Sequence, residues 1–196
     1  MKITIKWIAV LFILAGFGAV TAPAQNERET YTGTAVSYGS GRNIRTTTNT
    51  FTLIINGTTS DAEVDRAVSI LQENGQDGLL ESIRKNDLGS FSVGSRLGRT
   101  LNGVRIENVD GKKRIRAVFE RWINFTELRG GYRSVDYPFG YIELFIDPVT
   151  GKGDGTLIEA AQIRWKKDKK SDDYVVEIEN FATFPARLMG VQLRNR

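Results

Sequence analysis

The sequence predicts one α+β domain: a curved antiparallel sheet or partial barrel with a helical pair packed across it, over one opening. Three observations carry this expectation. Short runs rich in Thr, Val, Ile and aromatic residues recur along the chain, separated by Gly/Pro-rich or Lys/Asp-rich turns. Residues Ser60 to Lys85 instead carry apolar residues at helical spacing. Asp110-Gly111 stands between two alternating runs, the strongest short-range signal for a hairpin.

Met1 to Ala24 is expected to be a signal peptide, leaving residues 25–196 as the folded domain. Lys2 and Lys6 precede an apolar run from Trp7 to Val20, and Ala22-Pro23-Ala24 supplies the small-residue cleavage pattern. The run is about 14 residues, short of the roughly 20 that a spanning helix needs. Cleavage before Gln25 would release an exported chain, periplasmic or extracellular, with no transmembrane segment. No cysteine follows that point, so a lipid-anchored form is not expected.

Thr30 to Tyr38 and Asn49 to Asn56 read as strands joined by a polar, Gly-rich loop. Ser60 and Glu63 form a capping box ahead of Val64, Ala67, Val68 and Leu71, one apolar helix face. Asn74-Gly75 is a left-handed stop, and Gln76 to Lys85 reads as a second, shorter helix. A two-residue turn at Asp110-Gly111 joins Val104 to Val109 with Lys112 to Phe119. It sets Ile106 opposite Ile115, Val104 opposite Ala117, and Glu107 opposite Arg114, giving one apolar and one charged face. Arg105 opposite Arg116 is a like-charge pair that needs an acid nearby. Tyr141 to Asp147, Thr156 to Trp165, Tyr174 to Asn180 and Leu188 to Arg194 continue the meander.

Composition removes several chemistries. The chain has no His and no Cys. Ser-His-Asp and Cys-His catalysis, His- or Cys-ligated zinc, haem on those ligands and iron–sulfur clusters therefore fall away, and no disulfide can form. No cofactor and no metal site are expected. Counted without the first 24 residues, Lys and Arg number 25 against 23 Asp and Glu, so no nucleic-acid partner is implied. An enzyme built on this chain would need carboxylate pairs, a Ser-Lys arrangement, Tyr or an oxygen-ligated metal. The expectation leans toward no enzyme.

The most site-like stretch runs from Phe119 to Phe145 and holds half of the 16 aromatics found after Ala24. Within it, Arg129, Tyr132, Arg133, Asp136, Tyr137 and Phe139 form the candidate ligand-binding set, because arginines fork onto anions and rings stack. The opposing reading makes the aromatics sheet plugs and pairs Arg133 with Asp136 to fix a turn. Asp147 to Gly155 looks like a phosphate or calcium loop but lacks the flanking helix of one and the ligand spacing of the other, so it reads as a hairpin connection. Ser82-Ile83-Arg84-Lys85 matches a Ser-x-x-Lys nucleophile motif without the companion motifs of penicillin-recognising enzymes. Lys166 to Asp173 reads as a solvated hairpin tip. Asn56 and Asn124 fit glycosylation acceptors, relevant only in a eukaryotic host. Asp136, Glu143, Glu159 and Glu177 lie on or beside predicted strands, where two acids facing one cleft would suit a glycosidase.

The run Ser134-Val135-Asp136-Tyr137-Pro138-Phe139-Gly140, followed by a strand and then Gly151 to Ile158, resembles a group of small exported bacterial proteins with no assigned activity. The resemblance covers most of the chain after Ala24 and implies a bacterial envelope setting; it transfers no functional residue. The function expected is an exported, non-catalytic binding or envelope-associated protein for an unknown small apolar or amphiphilic ligand or an envelope component. A carboxylate-based glycoside hydrolase and a structural or inhibitory interaction module stand as alternatives.

Overall fold

The computed structural model describes residues 28–38, 45–121, 123, 125–167, 174–181 and 184–194. The expected signal peptide, Asn124 and most of the Lys166 to Asp173 run lie outside them. Among these residues nine strands are ordered β1 (Glu29–Ser37), β2 (Thr47–Ile55), β3 (Gly89–Val93), β4 (Arg99–Val109), β5 (Lys112–Glu120), β6 (Phe139–Ile146), β7 (Lys152–Lys167), β8 (Tyr174–Asn180) and β9 (Ala186–Leu193). The helices are α1 (Asp61–Ile83) and α2 (Phe125–Gly130), with a 3-10 turn at Arg133–Asp136.

All pairings are antiparallel, and the sheet closes. Its order is β6-β5-β4-β3-β2-β1-β9-β7, and β7 also bonds β6, completing an eight-strand up-and-down barrel. The ninth strand, β8, pairs with the far half of β7, beyond the end of β9. The partial barrel expected from the sequence is thus a full one. Inward residues alternate with outward ones, as closure demands. Tyr31, Phe51, Leu53, Leu101, Ile115, Ile142, Leu144 and Leu188 fill the interior, each almost fully buried. The outer faces of β4, β5 and β6 are charged, where a lipid-facing wall would be apolar. Among the described residues, no helix is long and apolar enough to cross a membrane.

The helical pair does not cap an opening, as the sequence reading had it. It packs on the outside of the barrel. α1 breaks at Gly75 (φ 67°, ψ −164°), where the left-handed stop was expected. Leu71, Leu79 and Leu80 meet Phe139, Tyr141, Ala161 and Ile163, a second core on the outer side of β6 and β7. The capping box forms: Glu63 N–H donates to Ser60 Oγ, and Ser60 N–H to Glu63 Oε2 at 2.8 Å. The Ser60 hydroxyl, donating to Glu63 Oε2 at 2.7 Å, and then that return bond hold the Glu63 carboxyl below its ordinary value.

The hairpin register is the expected one, with Asp110 and Gly111 both at positive φ (51° and 75°), the primed-turn geometry. Arg105 does face Arg116. Acids resolve the repulsion: Arg116 reaches Glu107 at 2.7 Å and Arg105 reaches Asp61 at 2.7 Å. Arg114 turns from Glu107 to Glu143 on β6, at 2.5 Å.

Closure depends on glycine. β7 enters the sheet through Gly151-Lys152-Gly153-Asp154-Gly155, bonded to β6 on one side and β9 on the other. A Cβ on Gly153 would stand 2.1 Å from the Phe145 carbonyl oxygen, and one on Gly155 2.1 Å from that of Glu143. Those oxygens are backbone atoms in the β6 ladder and cannot swing aside. The Gly155→Ala variant should therefore lose about 1–3 kcal/mol in urea unfolding. Gly98→Ala, whose Cβ would meet nothing closer than 3.6 Å, should stay near wild type. Equal midpoints for the two variants would contradict this packing.

Candidate functional site

Among the described residues, one end of the barrel is open. The end of β1, the β3–β4 turn, the end of β5, the middle of β7 and the β8–β9 connection surround a cavity of about 910 Å³. Its floor is apolar: Phe91, Phe119, Leu157 and Ala186, each at most 5% exposed. Phe91 links Phe51 on β2 to Phe119 on β5, with ring centroids 6.0 and 5.6 Å apart. Phe119 lies over Gly140, its partner on β6, where a Cβ would come within 2.1 Å of the ring. Glycine at 140 thus makes room for the ring in the floor. The rim carries Leu97, Phe184, Phe181 and Tyr38, exposed by 79, 66, 46 and 44%. Four large apolar side chains gathered at one mouth mark a contact surface better than the same residues scattered singly.

The charges at the mouth are placed by register. Arg99 pairs with Phe91 on β3, and Leu101 two residues later points inward, so Arg99 points inward too. Burial pushes its guanidinium below the ordinary arginine value, while Glu120 acts in the opposite sense. Arg121, at the end of β5, is only 10% exposed. It donates to Tyr137 O and Ser134 O at 2.6 Å and to Glu127 Oε2 at 2.9 Å. This single side chain ties α2 and the 3-10 turn against the mouth. Glu159 enters through a bulge: Phe139 pairs with Ala161 but Tyr141 with Ile158, so β7 carries one extra residue there. Such an insertion re-aims side chains, and Glu159 and Ala160 turn to the cavity. Glu159 accepts from Ser37 Oγ at 3.2 Å and faces Arg96 at 3.7 Å.

The six residues singled out in the sequence do not gather in this cavity. Arg129, Tyr132, Arg133 and Asp136 are exposed on the segment that Arg121 anchors, and none lines the mouth. Tyr137 is buried; its hydroxyl donates to Glu179 at 2.7 Å, which holds the phenol above its ordinary value, and its ring packs 5.1 Å from Phe181. Phe139 is fully buried in the outer core beneath α1. Several of the residues that line the mouth, Ser92, Val93, Arg96, Leu97 and Arg99 among them, come from a Ser/Gly-rich stretch with little periodic signal. The alternation Ser90-Phe91-Ser92-Val93 was the one cue that could have revealed β3 and, with it, the inward Arg99.

Other motifs resolve as structure. Asp147 Oδ1 accepts from Thr150 N–H at 3.1 Å and Val149 N–H at 2.8 Å, bonds that close the β6–β7 turn and hold its carboxyl below the ordinary value. Ser82 Oγ donates to Leu79 O at 2.7 Å, back along its own helix. Of the four acids on or beside predicted strands, Glu143 pairs with Arg114 and Glu177 with Lys166, both away from the cavity. Glu159 lies at the mouth, where Glu127, bound to Arg121, is the other acid. Among the described residues no group of His, Cys, Asp and Glu could hold a metal.

No family model, curated protein or solved structure matches the chain. Its class is defined by the barrel and its open mouth.

Removing the Arg121 side chain would take from Glu127, 22% exposed, the cation paired with it at 2.9 Å and free two carbonyls. Arg121→Ala should cost about 3 kcal/mol of stability. Hydrogen exchange should rise selectively across 125–138. Unchanged exchange there would show that the segment is held by something else.

Proposed function

We propose that this is an exported, non-catalytic binding protein that holds a small apolar or amphiphilic ligand in the barrel mouth. The observation that carries the reading is the apolar floor of Phe91, Phe119, Leu157 and Ala186 beneath a rim of exposed Leu97, Phe181 and Phe184. Eight-stranded barrels are wide enough to hold one small ligand, and about 910 Å³ lies within the usual range of ligand pockets. Export is supported by the charged start, apolar run and Ala22-Pro23-Ala24 of the leader. The resemblance to small exported bacterial proteins supports a bacterial envelope setting. A two-carboxylate hydrolase finds less support, because Glu127 is tied to Arg121, and Glu159 to Ser37 and Arg96.

Native mass spectrometry of the protein purified from the exported fraction tests this. The polypeptide should begin at Gln25 and carry a discrete, solvent-extractable mass, or take up the neutral apolar dye Nile red when bare. Phe184→Ala should weaken dye uptake about tenfold, from the apolar area lost at the rim. A bare chain that binds no dye would contradict the reading.

A further inference from the structure

We propose that the free edge of β8 pairs with the same edge of a second copy, joining two molecules through an antiparallel β8–β8 ladder. This goes beyond the binding reading and does not depend on it. Among the described residues β8 stands last in the sheet order, with β7 as its one strand partner. Its seven residues include no Pro, Gly or Lys, and its register with β7 runs without a bulge. Those are devices that ordinarily blunt an edge, and a strand without them is a template for another strand. Tyr174, Val175 and Val176, consecutive on this strand, are 57, 42 and 44% exposed.

The hydrogen bonding of β8 fixes which groups face outward. Phe181 N–H donates to Ala160 O at 3.0 Å, so these two residues form a bonded pair at the end of the ladder. Bonded and non-bonded pairs alternate along antiparallel strands. Glu179, Glu177 and Val175 therefore bond β7, while Ile178, Val176 and Tyr174 turn N–H and C=O to the free edge. Side chains alternate as well. Val176 and Ile178 stand opposite Trp165 and Ile163 on the α1 side, where Tyr174 stacks on Trp165 at 5.9 Å. Glu177 and Glu179 take the other face, where Lys166 and Arg164 pair with them at 2.8 and 3.0 Å.

These two alternations select one symmetric register and, with it, a second copy as the partner. Centred on Val176, a two-fold pairing sets Val176 against the second copy's Val176 and Tyr174 against its Ile178. All three outward residues of each copy then find partners, in about six N–H···O=C bonds. On the α1 side the apolar row of one copy continues into that of the other. On the charged side Glu177 meets the second copy's Val175, and no acid of β8 faces another. Centring on Glu177 opposes that residue to itself, and centring on Ile178 sets Glu177 against Glu179; like charges directly opposite are destabilising. Centring on Val175 keeps the acids apart but bonds fewer residues. The ladder engages seven residues a side. A standard stable interface takes roughly 20–30, so this dimer exchanges with monomer, with a Kd on the order of 100 μM.

Sedimentation velocity of the exported protein from about 1 μM to about 1 mM should show monomer passing to dimer. Over that range hydrogen exchange at Tyr174, Val176 and Ile178 should slow by about fivefold, the share of chains that pairing protects. Val176→Lys, with a melting curve certifying the fold, should stay monomeric throughout, because two cations would meet at the axis. The chain has no cysteine, so a single introduced thiol reports without interference. Val176→Cys would set two thiols on Cα atoms about 5.5 Å apart across the axis, within disulfide range. Under mild oxidation it should cross-link about tenfold faster than Met189→Cys, exposed on β9. A monomer at every concentration overturns the proposal. So does a dimer that leaves β8 exchange unchanged and cross-links the two cysteine variants alike, because it forms elsewhere. Outward β8 amides protected equally at all concentrations overturn it too, since the chain's own residues then cover the edge. Should Val176→Lys not fold, exchange in the wild type still decides.

Discussion

β7 bonded on both edges is the constraint from which the rest of the molecule follows. From Gly153 to Leu157 this strand pairs with β6 on one side and β9 on the other. A sheet that lacked either pairing would be open, with two edges and a core exposed along both. Bringing the ladders together requires backbone oxygens of Phe145 and Glu143 to pass where a side chain would begin on Gly153 and Gly155. Glycine is costly in a strand for its lost entropy and lost packing, so its presence at both points marks the place where shape outweighs local preference. Gly33, beneath Phe51 in β1, is a smaller instance of the same compromise.

The mouth is a product of that closure. Past Leu157 the β7 ladder with β9 ends, and past Ile158 the bulge against β6 turns Glu159 and Ala160 toward the axis. β7 then leaves the barrel with β8, and α1 packs against this extension and the outer side of β6. Two cores result. The inner one is closed by aromatic rings at the mouth; the outer one carries the helix. A ligand entering the mouth meets the first and leaves the second undisturbed. The division explains why the aromatic-rich stretch after Phe119 splits as it does, with Phe119 in the floor of the cavity and Phe139 and Tyr141 beneath α1.

Much of the scaffold was legible from residues alone. Ser60 with Glu63, the break at Gly75 and the Asp110-Gly111 hairpin are local devices, each complete within a few residues, and each forms as read. Closure was not legible, because β1 meets β9 across 151 or more residues of chain and no local pattern encodes that contact. The Gly-rich start of β7 was read as a loop; glycine signals both a turn and a tight sheet contact, and only the neighbouring strand separates the two. Arg129, Tyr132 and Arg133 drew attention by composition, yet the strand registers place Arg99 and, through a bulge, Glu159 at the opening. Which face a side chain takes in a short or bulged strand is a property of pairing, not of composition.

Nuclear Overhauser contacts across β7 test the closed barrel most directly. Gly153 should show cross-strand contacts both to Ile146 of β6 and to Val191 of β9, and Leu188 of β9 should in turn reach Ala35 of β1. Contacts to β6 with none between β9 and either β7 or β1 would describe an open sheet. The mouth and the ligand site built on it would then be contradicted together.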